Sequence, residues 1–139
     1  MIKEIVTDEE FLSKPAEVAT AEDAQVAQDL IDTMESLSDN CACLAANQIG
    51  STKAVIAYDD NGTARVMFNP RVKMGMYPYM ATEGCLSLER ESNAKRFNVI
   101  RVAYQELVDG QLVDRERKLT DWRAEIVQHA IDHCKGLLV

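Results

Sequence analysis

The stretch Gln128-His129-Ala130-Ile131-Asp132-His133 constrains this chain more than any other. It holds both histidines of the 139-residue sequence, four positions apart in a run that reads as helix. At that spacing the two imidazoles rise from one helix face on successive turns and can close on a single ion. A solvated or core-satisfied pair is the alternative, and the spacing by itself leaves it open. Hydrolytic metal sites built on this spacing carry a Glu directly after the first His as general base. Here that position is Ala130. The ligands are in place and the base is missing.

The remainder of the composition narrows the setting. A chain of 139 residues is read as one domain, residues 1–139, able to bury roughly two thirds of its unfolded surface. Hydrophobic content of 47% and charged content of 27% are ordinary for a soluble globular protein. No apolar run approaches the roughly 18 residues of a membrane span, and Met1 to Val6 lacks the pattern of a signal peptide. A net charge of −8 argues against a nucleic-acid or anionic-membrane partner. The cysteines at 41, 43, 85 and 134 are read as reduced thiols of a cytoplasmic protein, at least one of them available as a metal ligand.

Along the chain, residues 1–19 read as an extended start and a polar loop. Thr20 then caps a helix whose stripe is Val26, Ala27, Leu30, Ile31, Met34 and Leu37. Ser38-Asp39-Asn40 ends it, and Cys41 to Gly50 follows, rich in small residues that allow close approach of backbone or ligand. Gln48 in that setting is either tied to backbone or aimed at a ligand. Strands are expected at Ala54–Tyr58 and Arg65–Asn69 around Asp59-Asp60-Asn61-Gly62, with Pro70 closing the second. Residues 71–82 show no period, and 88–98 read as loop. Val99–Val108 and Leu112–Leu119 read as a hairpin turning at Asp109-Gly110. Thr120 caps the last helix, whose buried stripe is Trp122, Ile126, Val127, Ala130, Ile131 and Cys134, and Gly136 suits its C-cap. The order of elements gives an α+β class, antiparallel sheets packed around the C-terminal helix.

Three stretches taken together resemble the peptide deformylase family, which removes the formyl group from new bacterial polypeptides. The family's motifs are Gly-x-Gly-apolar-Ala-Ala-x-Gln-apolar-Gly, Glu-Gly-Cys-apolar-Ser and Gln-His-Glu-x-Asp-His. Their counterparts here are Cys41 to Gly50, Glu83 to Ser87 and Gln128 to His133, in the same order. The end soon after the second His resembles the shorter, Gram-positive-type members.

The resemblance implies that Cys85, His129 and His133 bind one divalent metal, commonly Fe²⁺, with Zn²⁺, Ni²⁺ or Co²⁺ able to replace it. One thiolate and two imidazoles leave a fourth position open, as a hydrolase requires. It also implies that Gln48 and the backbone N–H of Leu86 hold the formyl oxygen. Cys43 and Leu44 would lie along the substrate, and Glu83, Arg96, Gln128 and Asp132 would support the ligands. The implied substrate is an N-formylmethionyl peptide, with the ribosome as a further partner that the resemblance allows. Two departures stand out. Cys41 and Cys43 occupy the places of both leading glycines, and Ala130 that of the Glu which relays a proton from the attacking water to the leaving amine. Loss of a positioned acid–base group costs about 10²–10⁴-fold. The resemblance therefore implies either a strongly impaired deformylase or a metal-containing protein that binds formyl-peptides without turning them over.

Overall fold

The structure, a computed structural model, describes residues 1–37, 41–88 and 90–139. A helical turn, α1 (Glu9–Leu12), precedes a short 3-10 turn (Ala21–Asp23) and helix α2 (Ala24–Leu37). Strand β1 (Cys43–Ala45) and a second 3-10 turn (Ala46–Ile49) lead to β2 (Val55–Asp60), β3 (Thr63–Glu83), β4 (Ser92–Val108), β5 (Gln111–Thr120) and helix α3 (Asp121–Cys134). The strands form one five-stranded sheet in chain order, antiparallel at every pairing. The class is α+β, as the order of elements implies.

Strand β2 shows why two helices are needed. Its Val55 and Ala57 join a cluster with Leu30 and Met34 of α2, whereas Ile56 and Tyr58 join one with Val127, Ala130 and Ile131 of α3. The period of two sends alternate residues to opposite faces, and each face needs its own apolar cover.

Helix α2 begins as its sequence dictates. Thr20 Oγ1 accepts from the Glu22 N–H at 3.2 Å, and the Asp23 carboxylate accepts from the Thr20 N–H at 2.8 Å, satisfying donors that the first turn leaves free. The stripe of α2 also buries Asp29 and Thr33. Both are paired by the N-terminal segment: the Met1 amino group lies 2.9 Å from Asp29 Oδ1, and the Lys3 N–H donates to Thr33 Oγ1 at 2.9 Å. The expected helix end at residues 38–40 lies outside the described residues.

Both hairpin turns fall where expected. Asn61 and Gly62 have φ of 57° and 93°, Asp109 and Gly110 of 50° and 79°, the paired positive values that match a two-residue turn to the twist of its strands. Three expectations fail along β3 and β4. Pro70 does not close a strand, 71–82 is not irregular, and the stretch read as loop at 88–98 is strand from Ser92 onward: β3 runs on to Glu83 and β4 starts at Ser92. The β2–β3 ladder ends at Val55↔Phe68, so Pro70 falls just beyond it, at a register shift between Phe68 and Arg71. A residue without an N–H is tolerated at such a place. From there β3 pairs with β4 alone and is largely exposed, which erases the alternation that announces a strand.

Two expectations for α3 also need correction. Thr120 sits in extended backbone at the N-cap, but its side chain makes no cap hydrogen bond. Trp122, counted in the buried stripe, is 59% exposed, because it stands on the first turn at the rim of the helix–sheet interface. Among the described residues no helix is long and apolar enough to cross a membrane.

Candidate metal centre

Helix α3 is anchored at both ends and in its middle. At its C-terminus the Gly136 N–H donates to His133 O and the Leu137 N–H to Asp132 O, each at 3.0 Å, the pattern of a left-handed cap. Gly136 has φ of +80°, and a Cβ there would lie 2.4 Å from Ser13 O. At the N-terminus Arg123 reaches Asp60 of β2 at 2.7 Å. In the middle, Gln128 Oε1 accepts from the Phe97 N–H at 3.0 Å and its Nε2 donates to Phe97 O at 2.9 Å. The amide imitates a neighbouring strand and locks the helix to β4.

Anchored so, α3 turns His129 and His133 toward the chain that leaves β3. Their Nε2 atoms stand 3.2 Å apart, and Cys85 Sγ lies 3.3 Å from His133 Nε2. Ligand atoms of all three residues lie within 4.8 Å of one another. Ordinary Zn–N and Zn–S bond lengths at tetrahedral angles give ligand-to-ligand distances of about 3.3–3.6 Å. The trio therefore fits a divalent ion with one position left over.

The surroundings prepare it. His129 Nδ1 lies 2.8 Å from Glu83 Oε1, which holds the proton on Nδ1, so that a metal ion would take Nε2 in place of its proton. Glu83 in turn accepts from Arg96 Nε at 2.9 Å and Nη2 at 2.7 Å, and Arg96 Nη1 donates to Asp132 at 2.5 Å. Arg96 and Glu83 are buried, so each charge depends on the other. Burial alone would push the Cys85 thiol up, but hydrogen bonds from His129 and His133 overcome it and bring it to about 5. Burial likewise presses His129 down, and its bonds to Cys85 and Glu83 carry it up to about 9. The sulfur is thus a thiolate at neutral pH, the form that binds metal.

Cys85 and His129 border a cavity of about 490 Å³, with Gln48, Glu83, Leu86 and the 41–43 segment in its wall, and His133 lies buried behind them. Gln48 has both roles that its sequence setting left open. Its Oε1 accepts from the Ala45 N–H at 3.0 Å, while Nε2 donates to Ser87 Oγ at 3.2 Å and points at Cys85 Sγ at 3.5 Å. Leu86 is 40% exposed at the cavity. Cys41 and Cys43 line it as neutral thiols, since burial pushes both up, Cys41 to about 11.

Other expected residues lie elsewhere. Gln128 does not join the Asp132–Arg96–Glu83–His129 chain; it fastens the helix. The Leu44 side chain is fully buried on the α2 side of the sheet, which leaves only its backbone for a ligand. Ala130 is fully buried in the α3-side core. One residue escaped the sequence reading. Glu125 lines the cavity and accepts from Tyr79 Oη at 3.0 Å. Its place one turn before His129 was a usable signal; Tyr79 lies in the half of β3 without a period, where Met and Tyr side chains fit core filling or pocket lining equally.

The family model for polypeptide deformylase matches residues 2–139. A peptide deformylase of Clostridium beijerinckii is 35% identical over 139 residues, all of both chains. One from Aquifex aeolicus is 34% identical, covering 99% of this chain and 85% of its own. The crystal structure of peptide deformylase from Thermotoga maritima superposes with a TM-score of 0.86 at 26% identity, over 99% of this chain and 95% of that one. An actinonin-bound peptide deformylase from Acinetobacter baumannii gives 0.83 at 28%, over 99% and 95%. The match spans the entire sheet and both sides of the Cys85, His129 and His133 cluster, and the chain belongs to the polypeptide deformylase family.

Proposed function

We propose that this chain is a metal-dependent hydrolase directed at the N-formyl amide of formylated peptides, N-formylmethionyl peptides first among them, and strongly slowed by Ala130. One observation carries the reading: three ligand atoms of the right chemistry lie within 4.8 Å of one another, two of them, from Cys85 and His129, on residues that line a substrate-sized cavity. Cys85, His129 and His133 hold the ion, Fe²⁺ in the family's habit or Zn²⁺, Ni²⁺ or Co²⁺ in its place. When bound, the ion supplies Lewis acidity, polarising a carbonyl and making water nucleophilic near neutral pH.

The chain's own residues do the rest. Strand β1 is the outer strand of the sheet; among the described residues no strand pairs with its outer edge, where the Cys43 and Leu44 backbone can meet an extended peptide. Gln48 Nε2 and the Leu86 N–H are donors for the formyl oxygen as it gains negative charge, each worth about 10²–10³ in rate. Glu83, held by Arg96, keeps His129 in its ligand tautomer. No side chain at 130 can carry a proton to the departing amine. That last observation also favours a second reading, a protein that binds formylated chains, with or without the ribosome that makes them, and does not cleave them. A cytoplasmic setting suits both, because Cys85 must stay reduced.

Reconstitution with one divalent ion per chain tests the shared part. The loaded protein is expected to bind a peptidyl hydroxamate, a bidentate metal ligand, and the metal-free protein not to. Equal binding by both forms contradicts the site.

A further inference from the structure

Asp60 ends strand β2 two residues past Tyr58, on the face that α3 covers, and it gathers arginines from three elements. Its Oδ2 accepts from Arg65 Nε of β3 at 2.6 Å and from Arg117 Nη1 of β5 at 2.9 Å, and its Oδ1 from Arg123 Nη1 of α3 at 2.7 Å. The carboxylate is buried, whereas the side chains of Arg65, Arg117 and Arg123 are 57%, 31% and 43% exposed. A single guanidinium can neutralise a buried carboxylate. Three of them against one Asp60 leave a local charge of +2, in a chain whose net charge is −8. None of the three arginines lines the cavity at Cys85 and His129.

The hydrogen-bond donors are as unbalanced as the charge. Each arginine meets Asp60 through one nitrogen, and Arg117 Nη1 also donates to Tyr58 Oη at 2.6 Å. Among the described residues the other two nitrogens of each guanidinium meet no acceptor. Arg123 stands in the first turn of α3, where the helix dipole disfavours a cation and Thr120 gives no side-chain cap. Asp121, the acid of that turn, bonds to none of the three among the described residues. An oxyanion answers both imbalances, because guanidinium forks bind phosphate oxygens in pairs. A phosphate monoester carries about two negative charges near neutral pH, which matches the excess, and a diester only about one. We propose that Arg65, Arg117 and Arg123, held together by Asp60, form a binding site for a phosphate dianion, free or at the end of a monoester. The site is separate from the metal centre and does not depend on its chemistry.

The test uses the zinc-loaded protein with a peptidyl hydroxamate on its metal, so that added anions do not reach the ion. Inorganic phosphate, phenyl phosphate and dimethyl phosphate are titrated at mildly alkaline pH and constant ionic strength, followed by the arginine Nε–H signals in NMR spectra. A dianion is expected to saturate one site and to shift the signals of Arg65, Arg117 and Arg123. Dimethyl phosphate, a monoanion, is expected to bind at least about tenfold more weakly. Which of the two dianions binds separates free from esterified phosphate, and either supports the site. Arg65→Gln and Arg123→Gln, with circular dichroism unchanged, are each expected to weaken dianion binding about tenfold. The comparison of dianion with monoanion in the unaltered protein stands even if a variant fails to fold. Shifts that never saturate with either dianion, dimethyl phosphate binding as tightly as the dianions, or an affinity that survives both substitutions overturns the inference. A hydroxamate that fails to bind contradicts the metal centre instead, and the arginine signals still report on this site.

Discussion

His129 Nδ1 and Glu83 Oε1, 2.8 Å apart, join the last helix to the end of β3. The contact gives an imidazole its tautomer and a buried carboxylate a second partner beside Arg96. Glu83→Gln keeps the shape but removes the charge that Arg96 and His129 require. Metal affinity is expected to fall about 10–100-fold, measured by competition with a chromophoric chelator. An unchanged affinity would mean that Glu83 serves the fold and not the ligand.

Direct removal of a ligand gives a larger effect. Cys85→Ser and His133→Ala are each expected to reduce bound metal from one ion per chain to a small fraction of that, by elemental analysis after desalting. Full occupancy in both variants would place the ion elsewhere.

The α3 helix and the β4–β5 hairpin were legible in the sequence because their signals are local. Asp109-Gly110 supplies the positive φ of a tight turn, Gly136 a left-handed cap, and the two histidines one helix face. The far half of β3 was not legible, since past Phe68 it pairs on one side only and its residues no longer alternate. Asp29 and Thr33 lie outside the apolar stripe of α2, yet they are buried beneath the N-terminal segment, a contact more than 25 residues distant in sequence. Trp122 looked like core by type, and its place on the first turn of α3 exposes it. At the site, Cys85 needed the resemblance to be chosen from four cysteines, whereas Glu125 was hidden because a lone acid on a helix reads as solvated surface.

Acid stability should report the Asp60 cluster. Asp60, buried at the end of β2, accepts from Arg117 at 2.9 Å, Arg123 at 2.7 Å and Arg65 at 2.6 Å. The Arg117 hydrogen bond leads these in holding its carboxyl at about 2. A depressed carboxyl pKa stabilises fully above the unfolded value near 4 and loses its effect as pH falls from there toward 2. Urea denaturation of the metal-free protein should therefore show a decline across that window. Asp60→Asn should cost about 1–3 kcal/mol at neutral pH and flatten the decline. An acid limb of unchanged slope would assign it to other carboxylates.

Gln48→Leu separates support from recognition. The Ala45 N–H loses its acceptor, but the substitution fills similar space, so circular dichroism should be unchanged. Affinity of the zinc-loaded protein for a formyl-peptide or a peptidyl hydroxamate should fall about tenfold, the order of a lost hydrogen bond. Equal affinity would make Gln48 structural only.

The central claim is that this site keeps its metal ligands and oxygen-binding donors and lacks only a proton carrier. Ala130 is fully buried, so a Glu there must reach past apolar neighbours toward the trio. Without metal, Ala130→Glu should lower the melting temperature, and loading the ion should restore it, because the new carboxylate then faces a cation. The deciding measurement is steady-state formate release from a formyl-methionyl peptide by both proteins, loaded with the same metal under reducing conditions. The account predicts a rise of about 10²-fold or more in kcat on Ala130→Glu, with little change in KM. No gain, with equal metal content in both proteins, would contradict it.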